Sequence, residues 1–164
     1  MKQSNVKITV REVYNDPIHI IAFGFGAGLV KLAPGTAGSL VGMILSFLTI
    51  FLSFYMQLFV ALILVFFGIW ICGKSADKIG IKDFSGIVLD EIIGIYWVLI
   101  LVPLEWNFWF ISFFLFRIFD IWKPWPIRSL ETIFTGGFGI VIDDLMAAFF
   151  TVLMIYLIDF LQLI

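Results

Sequence analysis

Asp90 and Glu91 in VLDEIIG, Asp120 in FRIFDIWKPWPIR with Glu131 shortly after it, and Asp143 and Asp144 in GGFGIVIDD place carboxylates beside long apolar runs. Only 13% of the residues in this chain are charged. Ionisable groups next to hydrocarbon are costly, and where they cluster they mark a site rather than a surface. On a helix, adjacent residues differ by about 100°. Asp90 and Glu91 therefore predict one ligand aimed at a given point, with the other serving a second ion, a water or a basic partner. Asp143 and Asp144 repeat that arrangement. The bland alternative for each pair is a solvated helix start, where acids suit the dipole.

A donor set of carboxylate oxygens alone, with a single His19 and a single Cys72 elsewhere, favours a hard ion such as Mg²⁺ over zinc. Beside the acids, Lys123 and Arg128 flank Pro124 and Pro126, which predicts a stiff surface loop able to hold a phosphate. Trp122 and Trp125 in the same stretch equally suit an interfacial belt with ordinary positive-inside anchoring. The segment Ala33 to Ser39 (APGTAGS) predicts a glycine-rich turn opening into a helix. There Gly35 and its neighbours would present backbone N–H groups, with Thr36 or Ser39 as cap. An N-cap with close helix packing would account for the same residues.

Several chemistries have no foothold. A paired-histidine phosphatase lacks its second histidine. Cys72 is followed six residues later by Lys78, not Arg, so the cysteine-phosphatase arrangement is missing. A serine triad would have to recruit His19, with no nucleophile elbow in sight. What remains is acids, a divalent ion and basic phosphate holders, which suit attack of an activated water on a phosphate ester.

The elements that must position these residues follow from composition. With 62% hydrophobic residues, 20 Phe and 6 Trp in 164 residues, the chain reads as an integral membrane protein. The fold class is all-α: a single-domain bundle, residues 1–164, of four to five short membrane helices plus an N-terminal interfacial helix. Residues 1–16 are polar and lack the apolar stretch of a cleaved signal, so the first membrane segment is expected to stay in the mature protein. Net charge is −2, and basic residues occur singly, which disfavours nucleic-acid binding. Cys72 reads as a packed thiol.

Leu40 to Cys72 carries no charge, yet one straight helix of that length would run about 50 Å against a hydrocarbon core of about 30 Å. A hairpin with spans 38–53 and 57–73 is expected. A second hairpin, 87–101 and 107–119, breaks at Pro103 and Glu105, and its short arms allow a half-inserted form. The last helix is placed at 140–158, headed by its aspartates and preceded by a flexible Gly136-Gly137-Phe138-Gly139. Pro17 to Leu32 reads as an interfacial helix. Lys2, Lys7, Arg11, Lys31, Lys74, Lys78, Lys82, Arg117, Lys123 and Arg128 can all face the cytoplasm if each hairpin returns to its starting side. All three acidic clusters then lie on that face. A small cation-binding transporter or channel is the competing reading, and it predicts acids near mid-span and an inverted repeat.

Taken together, PGTAGS, VLDEIIG, FDIWKPWPIR and GGFGIVIDD, in this order and at these spacings, closely resemble the phosphatidylglycerophosphatase A family from Pro17 into the last helix. The resemblance implies Mg²⁺-dependent removal of the terminal phosphate of phosphatidylglycerophosphate at the cytoplasmic face of a bacterial inner membrane. It puts Asp90, Glu91, Asp120, Asp143 and Asp144 in the acidic site and Lys123 and Arg128 beside the phosphate, with the substrate's acyl chains left among membrane lipids. Asp120 would be a further ligand or the base that orients water. Leu89 stands where some relatives carry an aromatic residue.

Overall fold

The computed structural model describes residues 8–81 and 84–162. Lys2, Lys7 and Lys82 lie outside the described residues, as does the side chain of Glu131. Every regular element among the described residues is helical. Two short helices, α1 (Val10–Asn15) and α2 (Pro17–Ala22), precede the bundle. Thr9 and Glu12 close a capping box on α1. Asp16 caps α2 by accepting from the Ile18 N–H at 2.9 Å.

The expected single helix over 17–32 is interrupted. After α2 the chain enters a 3-10 segment, Gly24–Leu29, in which Gly24, Phe25 and Gly26 have φ of 55°, 57° and 109°. Three consecutive left-handed residues end any right-handed helix.

Helix α3 runs Pro34–Thr49 and α4 Phe54–Ile79. The first turn of a helix has no internal use for its N–H groups, so Pro34 starts α3 four residues earlier than the first apolar run suggested. The hairpin turn is held by Gln57, whose Nε2 donates to Thr49 O at 2.9 Å and Leu52 O at 3.3 Å. Gly80, with φ 77°, closes α4 in the left-handed conformation typical of a helix end.

The second hairpin comprises α5, Leu89–Leu101, and α6, Trp106–Trp122. Helix α7 spans Ile127–Ile133 and α8 Gly136–Phe160. The expected flexible glycine stretch is instead the first turn of α8, packed on α4: a Cβ at Gly137 would lie 1.8 Å from Ile69 O. Consequently Asp143 and Asp144 sit about two turns inside α8 rather than at its head.

Helices α4 and α8 are long and apolar enough to cross a membrane, and α3 is a shorter apolar helix. Phe59, Phe66, Phe67 and Trp70 of α4 and Phe149, Leu153 and Tyr156 of α8 are exposed. Outward apolar faces of this extent suit lipid rather than water. The chain is a membrane protein.

Helix α5 is the axis. It packs against α3, α4, α6 and α8, and the two arms of the first hairpin grip α5 rather than each other. Its Ile92, Ile93, Ile95, Tyr96, Val98 and Leu99 are all buried, as expected of a helix apolar on every side. Contact with α3 depends on two missing side chains. A Cβ at Gly38 would meet Val88 Cβ at 2.7 Å, and one at Gly42 would meet Ile95 Cγ2 at 2.4 Å and Ile92 O at 2.6 Å. Small residues on one face let two backbones approach closely in an apolar medium.

Candidate active site

The close α3–α5 contact sets the site. Asp90 and Glu91 fall in the first turn of α5, whose start is tied to α2 by the Val88 N–H donating to Ala22 O at 2.9 Å. Asp144 enters from α8. One carboxylate oxygen from each of Asp90, Glu91 and Asp144 lies within 4.8 Å of the others. Asp90 and Glu91 thus do converge on one point, contrary to the single-ligand expectation. Glu91 has an extra methylene to swing back through.

Asp90 Oδ1, Glu91 Oε2 and Asp144 Oδ2 are buried and have no hydrogen-bond partner. Carboxylates buried this close together are strongly unfavourable as anions unless protons or a cation offset their charge. The donors are hard oxygens, without a thiolate or imidazole among them, so the set fits a divalent cation of the Mg²⁺ kind. Cys72 is fully buried and free, and it is not among these ligands. His19 is likewise separate: its Nδ1 sits 2.9 Å from Ser75 Oγ in the α2–α4 contact.

The other two predicted acids are held by cations. Lys123 Nζ donates to Asp143 Oδ2 at 2.6 Å, and Arg117 Nη1 donates to Asp120 Oδ2 at 2.5 Å, one helical turn away. Lys123 ends α6 with φ 44° and ψ 60°, and its N–H donates to Phe119 O at 2.8 Å. A left-handed lysine is a strained choice where glycine would be easier. Here the turn sends the chain away from α6 while the ammonium reaches α8.

Two expectations about phosphate holders change. Arg128 is not on a proline-stiffened loop; it is exposed in the first turn of α7. Proline does not disturb a helix that begins immediately after it, so α7 starts directly behind Pro126. Thr36 and Ser39 are not caps either. The N-cap is Ala33, with no side-chain bond, and Ser39 is buried, donating from Oγ to Gly35 O at 2.9 Å inside α3. Gly35 is at the site: a Cβ there would lie 2.2 Å from Glu91 Oε1 and 2.8 Å from Arg117 Nη2.

Arg117 is the residue that the sequence reading missed, having counted it only among the basic residues facing the cytoplasm. Besides Asp120 it approaches Glu91 Oε1 at 3.9 Å and Ser39 Oγ at 3.4 Å. The available signal was its i, i+3 spacing to Asp120 within FRIFD, which puts cation and acid on one helical face.

The family model of phosphatidylglycerophosphatase A matches residues 20–159. A Haemophilus influenzae protein named phosphatidylglycerophosphatase A is 40% identical over 150 residues, 90% of this chain and 92% of its own length. An Escherichia coli protein of the same name is 37% identical over 145 residues, 88% of this chain and 84% of its own. A Bacteroides thetaiotaomicron protein, provisionally named a phosphatidylinositol-3-phosphatase, is 37% identical over 145 residues, 83% of this chain and 89% of its own. No solved structure matches. The chain belongs to the phosphatidylglycerophosphatase A family.

Proposed function

We propose that this chain is a Mg²⁺-dependent lipid phosphatase that hydrolyses the terminal phosphate monoester of phosphatidylglycerophosphate, giving phosphatidylglycerol and inorganic phosphate. The observation that carries the reading is the convergence of Asp90, Glu91 and Asp144 on one point, with Arg117 beside Glu91 and Lys123 on the neighbouring Asp143. A divalent cation held by those three carboxylates supplies Lewis acidity toward a phosphate ester. Lys123, anchored by Asp143, offsets phosphate charge on the α8 side. The start of α3 at Gly35 offers backbone N–H groups on the opposite side. Water attacks phosphorus, the phosphorus–oxygen bond to the glycerol breaks, and the leaving alkoxide takes a proton.

In this reading α3 to α6 and α8 supply the short membrane spans. The site faces the cytoplasm, where the positive-inside rule puts Lys74, Lys78, Lys123 and Arg128. Only the head group then enters the polar site, and the acyl chains stay in the bilayer.

Phosphate release from phosphatidylglycerophosphate in mixed micelles, with Mg²⁺ and with chelator, tests the proposal. Mg²⁺-dependent release supports it. Absence of release, together with cation flux in proteoliposomes, would replace it with the transporter reading. A parallel arm with phosphatidylinositol 3-phosphate decides between the substrates for which the relatives are named.

A further inference from the structure

Asp120 and Arg117 form a pair whose geometry assigns both residues a task. Among the described residues, the polar contacts of Arg117 with Asp120, Glu91 and Ser39 all use Nη1. Its Nε is buried and has no hydrogen-bond partner, and Nη2 faces the bare backbone of Gly35. Nε and Nη2 form the side-on edge of the guanidinium, the fork that matches two oxygens of a phosphate. A Cβ at position 35 would meet Glu91 Oε1 at 2.2 Å, Nη2 at 2.8 Å and Nη1 at 3.0 Å, so the absent side chain there leaves the guanidinium its place beside Glu91, a member of the carboxylate triad.

We propose that Arg117 is the guanidinium that grips the phosphoryl group through Nε and Nη2, and that Asp120 is a positioning residue for Arg117. Asp120 holds Nη1, the nitrogen outside the fork, which fixes the plane in which the fork is presented. In this assignment Asp120 acts through Arg117 rather than as a ligand of the triad or as the base. With Lys123 on the other side, two cations face the substrate, which suits a dianionic monoester better than a singly charged diester. The assignment rests on the lipid-phosphatase reading above, since it names the group that holds that substrate's phosphate.

The test uses the full chain in mixed micelles with Arg117→Ala, Arg117→Lys, Asp120→Asn and, as reference, Asp90→Asn. Three quantities are read: kcat and KM on the phospholipid, inorganic phosphate affinity by titration calorimetry, and Mn²⁺ affinity by electron paramagnetic resonance. Arg117→Ala should lower kcat/KM by about a hundredfold or more, as loss of a transition-state donor does. It should weaken phosphate binding, and guanidinium ion added to the buffer should restore part of the activity. Arg117→Lys keeps the charge without the fork and should recover only a minor share. Asp120→Asn should cost roughly tenfold to a hundredfold, the range for a residue that orients another, and leave Mn²⁺ affinity as in the unaltered chain.

Arg117→Ala binding phosphate like the unaltered chain would overturn the assignment. So would Asp120→Asn losing Mn²⁺ as fully as Asp90→Asn. If the unaltered chain releases no phosphate from the lipid, the proposed activity fails, while the phosphate and Mn²⁺ titrations still decide the role of Arg117.

Discussion

Gly35 and Glu91 are so close that one added methyl carbon at position 35 would lie 2.2 Å from Glu91 Oε1. The atoms that would have to yield are the ends of two flexible side chains, Glu91 and Arg117, so the fold can accommodate the change while the site cannot. Gly35→Ala should therefore give a protein that unfolds in detergent near the unaltered temperature, yet with activity reduced by about a hundredfold, as a misplacement of an ångström in a reacting geometry does. A large fall in unfolding temperature would show that position 35 serves packing instead.

Gly42→Ala should behave in the opposite way. The new Cβ would meet Ile92 O at 2.6 Å, and backbone cannot swing aside, so α3 and α5 must separate. Overpacking of this kind costs about 1–3 kcal/mol. Denaturation in detergent should show that loss, where Gly35→Ala shows little, and turnover of the folded fraction should fall only as far as the wider α3–α5 spacing displaces the site.

Asp90→Asn and Asp144→Asn each remove a charge from the orphaned triad and so relieve repulsion within a buried site. Both should fold, with unfolding temperatures equal to or above that of the unaltered chain in metal-free buffer, and both should lack turnover. Saturating Mg²⁺, at about a hundred times its dissociation constant, should stabilise the unaltered chain by about 2.7 kcal/mol and either variant far less. Near-normal activity in both would remove the triad from the mechanism.

Lys123→Met leaves the Asp143 carboxylate, whose side chain is 9% exposed, without its ammonium. The pair is part-buried, with the Lys123 side chain 24% exposed, so losing this charge-assisted bond should cost about 1.5–3 kcal/mol. Adding Asp143→Asn should return part of the stability and none of the activity. A double-variant cycle on unfolding free energy separates the two effects.

Asp16 accepts a hydrogen bond from Lys78, which holds its carboxyl below the usual value for aspartate. A depressed folded pKa means stability that is present above the unfolded value and lost as pH falls through the folded one. Both side chains are partly exposed, 45% for Lys78 and 24% for Asp16, so the contribution should be about 1 kcal/mol or less. Asp16→Asn should flatten the acid limb of the unfolding-temperature profile below about pH 4 and leave kcat at neutral pH unchanged.

Much of the site was legible because charge is scarce here. Asp90, Glu91, Asp120, Asp143 and Asp144 stood out against apolar runs, and the structure brings all five together or onto cations beside the triad. What the sequence could not show was direction. Thr36 and Ser39 read as caps because hydroxyls at a helix start usually are, but Pro34 had already begun the helix, which turns Ser39 inward toward Gly35 O. Arg128 read as a loop residue because two prolines preceded it, and the same prolines permit a helix one residue later. Arg117 was hidden by its ordinary explanation as an anchoring charge. The start of the last helix shifted because Gly137, read as part of a flexible stretch, is a contact point against Ile69 that only a neighbouring helix explains.

Asp144 belongs to α8, and residues 92–143 separate it from Glu91. A chain still being synthesised therefore holds two of the three converging carboxylates for the whole time that α6 and α7 are emerging. Until α8 enters and packs on α4 and α5, Asp90 and Glu91 have no opposing carboxylate, and Lys123 has not met Asp143. The converging carboxylates are consequently incomplete until α8 is in place, so the order of translation makes this cluster one of the last parts of the bundle to form.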